Sequence, residues 1–253
     1  MAVIGIMSAM HEELAAVLAD IQGAQCVSVA GRDFWAGHWH GHAVVAVLSR
    51  IGKVAAATTA AILVERFGAD VVVFTGVAGG LGEGVQVGDV VVASAFVQHD
   101  MDATPLFPRF EVPLYGRSGF AADAQVSAQL AGAAAQVLRD APTHLGHAAM
   151  ALLSGRAPRL HRGLVLSGDR FVSTHAQSLA LRQALPDAMA VEMEGAAAAQ
   201  VCWDCQVPFA AVRTVSDRAD DQAHTDFNRF IEVVASRYSL AVLSHWLRER
   251  PLT

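Results

Sequence analysis

At 253 residues, 53% hydrophobic and only 17% charged, with 21 glycines, the chain is long enough to enclose a sizeable core and too apolar to be disordered. Its net charge of -6, from 24 acids against 18 bases, argues against a nucleic-acid partner, because phosphate binding needs a basic face. No apolar run approaches the ~18 residues of a spanning helix, so no membrane partner is expected either.

The N-terminal "VIGIM", Val3 to Met7, reads as a short buried strand, and "SAMHEELAAVLADI" after it as a helix that Ser8 can cap. No basic leader precedes that apolar run and acids follow it directly, so the N-terminus does not read as a signal peptide and a cytoplasmic protein is expected. Two short runs around "HWHGHA" and then "AVVAVLS", Ala43 to Ser49, suggest a hairpin edge. The helix "KVAAATTAAILVERFG" ends at Gly68, a fitting C-cap, and "ADVVVFT", Ala69 to Thr75, has the continuous apolar character of a strand buried on both faces.

That strand is expected to empty into a glycine-rich turn, Thr75 to Gly84. The turn lacks the lysine and hydroxyl of a P-loop and the spacing of a dinucleotide fingerprint, so it is read either as tight strand-to-helix geometry or as backbone approach to a small molecule. Further on come "VGDVVVASAFV", a proline-bearing loop "TPLFPRFEVPLYGRSG", and a helix from Ala121 to about Leu138. "RGLVLSGDRFV", a helix near Ala176 to Leu185, the strand "AMAVEM", the helix "EGAAAAQVCWDC", the strand "PFAAVRTVSD" and an amphipathic helix to about Leu247 complete the chain. No linker divides it and no repeat is evident, so residues 1–253 read as one α/β domain with its chemistry at strand carboxyl ends.

Three cysteines form no even framework. Cys202 and Cys205 share one helical face and no second pair completes a zinc site, so they read as buried, inert thiols. The eleven histidines include no two-histidine helical spacing with a carboxylate that would name a metal.

Glu192 and Glu194 stand in the alanine-rich "AMAVEMEGAAAAQ" without a base nearby in sequence. Burying a carboxylate costs several kcal/mol, about 2–7 for a polar group alone, or shifts its pKa, unless something pairs with it. In a strand the two acids face the same side and Met193 the other. Spacing does not choose between Glu194 as a helix cap and Glu194 as a ligand holder, and Glu192 reads as structural. Ser216 and Asp217 in "VRTVSDRAD" are likewise open to capping or to a site, and "HEE", His11 to Glu13, to a solvated first helical turn.

Taken in order, "GIMSAMHEEL", "SRIGKVAAA", "FTGVAGGLGEGVQVGDVVV", "QHDMDA", "LVLSGDRFV", "AVEMEGAA" and "VRTVSDRAD" resemble the 5′-methylthioadenosine/S-adenosylhomocysteine nucleosidases of the nucleoside phosphorylase-like superfamily, from about Gly5 to Phe227. The resemblance implies a single α/β domain with a mixed, barrel-like central β-sheet surrounded by helices. It implies a homodimer, no cofactor and no metal, and an adenine nucleoside as the small-molecule partner, cleaved at its N-glycosidic bond.

By motif, the resemblance makes Glu13 the water-activating acid and Asp217, supported by Ser216, the acid that protonates adenine. Phe171 matches the stacking aromatic, Val172 the residue whose backbone reads the adenine edge, and Met193 with Glu194 the ribose grip. Met10, Ile51, Arg213 and Phe227 fall on pocket-lining positions. These residue types suit the reaction: the departing base gains negative charge that an acid can quench, and a base can take a proton from water. An aspartate, ordinarily near pKa 3.9, needs burial or partners to carry a proton near neutrality.

Two departures stand out. Val77 occupies a position where the family commonly has serine near water and sugar, which removes a hydroxyl. The stretch "MDATPLFPRFEVPLYG" differs strongly where relatives reach the 5′-substituent, often across the dimer interface, and makes Ala103, Phe107 and Arg109 candidates for 5′-tail specificity, Arg109 toward a carboxylate. Two other readings are a purine nucleoside phosphorylase of the same superfamily, with Arg50, Arg213 and the glycine-rich turn as the anion site, and a non-catalytic nucleoside-binding protein.

Overall fold

The structure is a computed structural model that describes residues 2–153, 156–221, 223, 227 and 230–252, with the backbone alone at Glu232 and Val233. Ten strands form one mixed sheet: β1 (Val3–Ser8), β2 (Gln22–Val29), β3 (Arg32–Trp39), β4 (His42–Leu48), β5 (Ala69–Gly80), β6 (Val90–Gln98), β7 (Gly119–Ala121), β8 (Leu160–Ser167), β9 (Ala188–Glu192) and β10 (Phe209–Asp217). The pairing β10-β6-β8-β9-β5 returns to β10, so these five strands close a barrel, and β1, β4, β3 and β2 extend it from β5. This is the barrel-like mixed sheet expected from the sequence.

Helices α1 (His11–Asp20), α2 (Lys53–Phe67), α3 (Ala124–Arg139), α4 (Ala141–Leu152), α5 (His175–Ala184), α6 (Gly195–Asp204) and α7 (Ser236–Glu249) cover the sheet, with a π-helical turn, Ile231–Ala235, leading into α7. Alanines 196–199 of α6 are buried in the core that α2 also enters, where side chains this small let two helices approach closely. The amphipathic α7 buries Tyr238, Val242, Leu243, Trp246 and Leu247. Removing apolar area of this kind from water supplies the main drive to fold, at about 25 cal/mol per Å². No described helix is long and apolar enough to cross a membrane.

Several local expectations change. Ser8 does not cap α1: it ends β1 with its hydroxyl buried and without a hydrogen-bond partner among the described residues, and Met10 stands at the N-cap. The segment Ala43 to Ser49 is no edge, because β4 lies between β1 and β3 and the edge is β2. β2 escaped notice because its residues are almost all exposed, leaving no apolar alternation, and the ladder to β3 forms it.

The largest change concerns the glycines. The expected turn from Thr75 is strand as far as Gly80, paired with β10 on one side and with β9 on the other. A Cβ on Gly76 would lie 2.9 Å from the Glu13 Oε1, and one on Gly79 would lie 2.9 Å from the Asp217 Oδ1. The glycines make room for carboxylates against a continuous strand.

Candidate active site

The closed barrel and the chain segments leaving β1, β4, β8, β9 and β10 enclose a cavity of about 400 Å³, within the range of small-molecule sites. Met10, Glu13, Ile51, Val77, Phe171, Val172, Met193, Glu194, Arg213, Ser216, Asp217 and Phe227 all line it. The stretch holding Ala103, Phe107 and Arg109 is not part of the lining; Arg109 lies 3.9 Å from Asp102 and stacks on Phe110 instead. Phe171 and Phe227 meet edge to face at 5.6 Å between ring centres in the cavity lining.

Glu13 projects from the first turn of α1. Its carboxylate accepts the backbone N–H groups of Ala9 (3.1 Å), Met10 (3.0 Å) and, from β5, Val77 (2.9 Å). These bonds and the nearby Arg213 favour the charged form, but burial outweighs them and raises the pKa to about 7. At position 77 the main-chain amide meets the acid whatever the side chain, so valine leaves that contact intact.

The two acids of β9 and its exit have separate partners. Glu192 ends β9 and accepts the Gly195 N–H at 2.8 and 3.0 Å, the Glu194 N–H at 3.2 Å, the Ser167 hydroxyl, and the Arg213 Nη2 at 2.9 Å. Glu194 occupies the N-cap position of α6 without bonding to that helix, and accepts the Gly52 N–H at 2.8 Å and its neighbour's at 3.3 Å. Glu192 therefore does the capping, and Glu194 presents a carboxylate to the cavity. Burial, then Glu192 beside it, raises the Glu194 pKa above the ordinary carboxylate range.

Arg213, 1% exposed on β10, is the base missing from the neighbourhood of these acids in sequence. Besides Glu192 it donates to the Phe74 carbonyl at 2.9 Å and stacks on the Phe74 ring at 4.2 Å. At the end of β10 the Ser216 hydroxyl donates to the Asp217 Oδ2 at 2.8 Å and the Ala219 N–H to Oδ1 at 2.8 Å. The first bond aims the carboxylate and the second turns the chain behind it.

A model of the phosphorylase superfamily matches residues 3–246. The chain belongs to that superfamily. Among solved structures it resembles the 5′-methylthioadenosine/S-adenosylhomocysteine nucleosidase of Neisseria meningitidis, in complex with methylthio-immucillin-A, at 31% identity and TM-score 0.86 over 99% of this chain and 100% of that one. The corresponding nucleosidase of Streptococcus pneumoniae, in complex with 8-aminoadenine, is 34% identical with TM-score 0.84, covering 98% and 99%. The futalosine hydrolase of Helicobacter pylori is 29% identical with TM-score 0.83, covering 96% and 97%.

The site also draws on a lining residue, Arg170, and a supporting one, Gly52, that the motifs did not single out. Arg170, exposed at the cavity wall, could have been noticed as the charge directly before Phe171 in "SGDRFV"; Gly52, whose amide holds Glu194, had no signal of its own. Among the described residues no three His, Cys, Asp or Glu side chains are grouped to hold a metal ion. Of the two thiols expected to be buried, Cys202 is, with its pKa pushed up to about 12 by burial and by neighbouring Cys205, whereas Cys205 is half-buried; Cys26 is exposed on β2.

Proposed function

We propose that the protein is a nucleosidase that hydrolyses the N-glycosidic bond of 5′-modified adenine nucleosides: 5′-methylthioadenosine, S-adenosylhomocysteine and 5′-deoxyadenosine. The observation that carries this reading is the convergence of Glu13, Glu194 and Asp217, from three distant parts of the chain, on one largely apolar cavity. Asp217 delivers a proton to the departing base, Glu194 accepts the ribose hydroxyls, and Glu13 takes a proton from the attacking water. A carboxyl group with a pKa of about 7 suits Glu13 to general-base work near neutrality. Phe171 and Phe227 hold the flat and apolar parts of the substrate, with Met10, Ile51 and Met193 packing on the sugar and its substituent, and Val172 reading the base by its backbone.

Water is favoured over phosphate on electrostatic grounds. Arg213 is committed to Glu192 and to a carbonyl, and Arg50 lies outside the cavity lining and donates to the Gly31 carbonyl. A phosphate would instead face Glu13. We further propose a homodimer of single-domain subunits in the cytoplasm. In it the loop of Ala103, Phe107 and Arg109 reaches a neighbouring subunit's cavity and contributes to 5′-tail selection.

A second reading keeps the hydrolase and changes the substrate: the 29% identity to a futalosine hydrolase supports futalosine as a competing substrate. Incubating the protein with each nucleoside, with inosine and with futalosine, in the presence and absence of phosphate, decides among these. Free base and free sugar without phosphate are expected, with the adenine nucleosides fastest. Sugar 1-phosphate would establish a phosphorylase, and binding without turnover a nucleoside-binding protein.

A further inference from the structure

The proposed reaction uses Glu13, Glu194 and Asp217 but gives Glu192 nothing to do, although Glu192 is 7% exposed and lines the same cavity. A fourth acid in that wall would ordinarily be a liability, since like charges raise one another's proton affinity. Its partners explain its presence. The Ser167 hydroxyl on Oε1, two N–H groups of the α6 first turn, and Arg213 on Oε2 occupy both oxygens, and Ser167 itself is held by the Ala196 N–H at 2.7 Å. The side chain is clamped at the amino end of α6, where a negative charge is favoured.

We propose that Glu192 is a positioning residue for the nucleoside site: it holds Arg213 in a direct ion pair, withholding the guanidinium from Glu13 and Glu194 and leaving those two carboxyl groups to exchange protons and receive ligand hydroxyls. Neither Glu13 nor Glu194 has a hydrogen bond to Arg213 among the described residues, yet both feel its charge through space. The groups facing Glu194 are Glu192 from β9, Arg213 from β10, Glu13 from α1 and the Gly52 amide before α2. Those facing Glu13 are Arg213, Glu194 and the amides of Ala9, Met10 and Val77. Arg213 is thus the cation common to both sets, and Glu192 decides how closely it approaches either. His99, buried with its Nε2 unpartnered among the described residues, lies on the Glu192 side of the cluster.

This inference rests on the nucleosidase reading, and the test separates the two. The acid limb of kcat/KM for 5′-methylthioadenosine reports the free enzyme's essential base. In Glu192→Gln, which keeps the shape but loses the charge, Arg213 is released toward Glu13 and Glu194 and the limb is expected to move toward lower pH by about one unit. In Glu192→Asp, which keeps the charge, the limb is expected to stay at its wild-type position whatever the amplitude. Ser167→Ala loosens the clamp without removing a charge and should move the limb in the same direction by less, so the idea remains testable if the Gln variant fails to fold. A purely structural Glu192 would scale the whole profile without displacing it, and an undisplaced limb in the folded Gln or Ala variants overturns the proposal. Failure of the wild type to release adenine at any pH would instead overturn the nucleosidase reading.

Discussion

Two buried carboxylates, Asp89 at the start of β6 and Glu13 in the cavity, meet opposite electrostatic fates. Asp89 is fully buried, but it accepts the N–H groups of Gln86 (3.0 Å) and Arg159 (2.9 Å) and pairs with Arg156 (2.7 Å) and His161 (2.8 Å). Burial pushes its pKa upward, and these four partners overcome it, so the group titrates below its ordinary value. Glu13 accepts three N–H bonds but has no cation in contact among the described residues, and burial wins. Desolvation is common to both, so direct cationic partners separate an acid built to stay charged from one able to exchange a proton.

That contrast can be broken by substitution, first at the cavity. Glu13→Gln and Asp217→Asn are each expected to slow adenine release by about 10²- to 10⁴-fold, with the fold intact by circular dichroism. Wild-type kcat/KM should fall tenfold per unit below a pH of about 7, as Glu13 gains its proton. A profile flat down to pH 5 would remove Glu13 from the base role.

At the other acid the effect falls on stability. Asp89→Asn leaves Arg156 and His161, 34% and 20% exposed, without their counter-charge. A fully buried pair loses about 3–5 kcal/mol on such a change, and partial exposure reduces the expectation here to about 2–3 kcal/mol in denaturant unfolding, with turnover little changed.

The pH dependence of stability should then have opposite signs. Because the folded Asp89 pKa lies below its unfolded value, its contribution is present above the ordinary carboxylate pKa and is lost as the pH falls. Glu13 titrates at about 7 when folded against 4.5 unfolded, so its contribution is present below 4.5 and is lost as the pH rises through 7. Glu13→Gln should therefore be more stable than wild type at pH 8, by about 1–3 kcal/mol, and nearly equal to it near pH 4. Equal stability at both pH values would mean that Glu13 carries no such strain. The smallest effect belongs to an exposed pair: Arg109→Ala should change stability by less than about 0.5 kcal/mol. If the ratio of activities on methylthioadenosine and adenosylhomocysteine also stays the same, the 5′-tail role of Arg109 fails.

Much of this architecture was legible in local pattern. The apolar runs of β5 and β10, the alanines of α6 and the glycine ending α2 announce their elements, because burial on two faces, close helix packing and a left-handed cap each demand particular residue types. The seven motifs likewise drew attention to Met10, Glu13, Phe171, Glu194 and Asp217, which line one cavity. The exposed β2 left no pattern, since its partner strand rather than its own side chains defines it.

The sequence alone settled which segments would be strands buried on both faces and which acids would stand at or beyond their ends. Only the tertiary structure decided what surrounds each acid. It brought Arg213 to Glu192 across 21 positions, set Gly76 and Gly79 against Glu13 and Asp217, and gave Glu194 the amide of Gly52 from 142 residues away. Periodicity reports neighbours within a turn or a pleat, whereas desolvation and charge pairing depend on whichever distant segments close over a group.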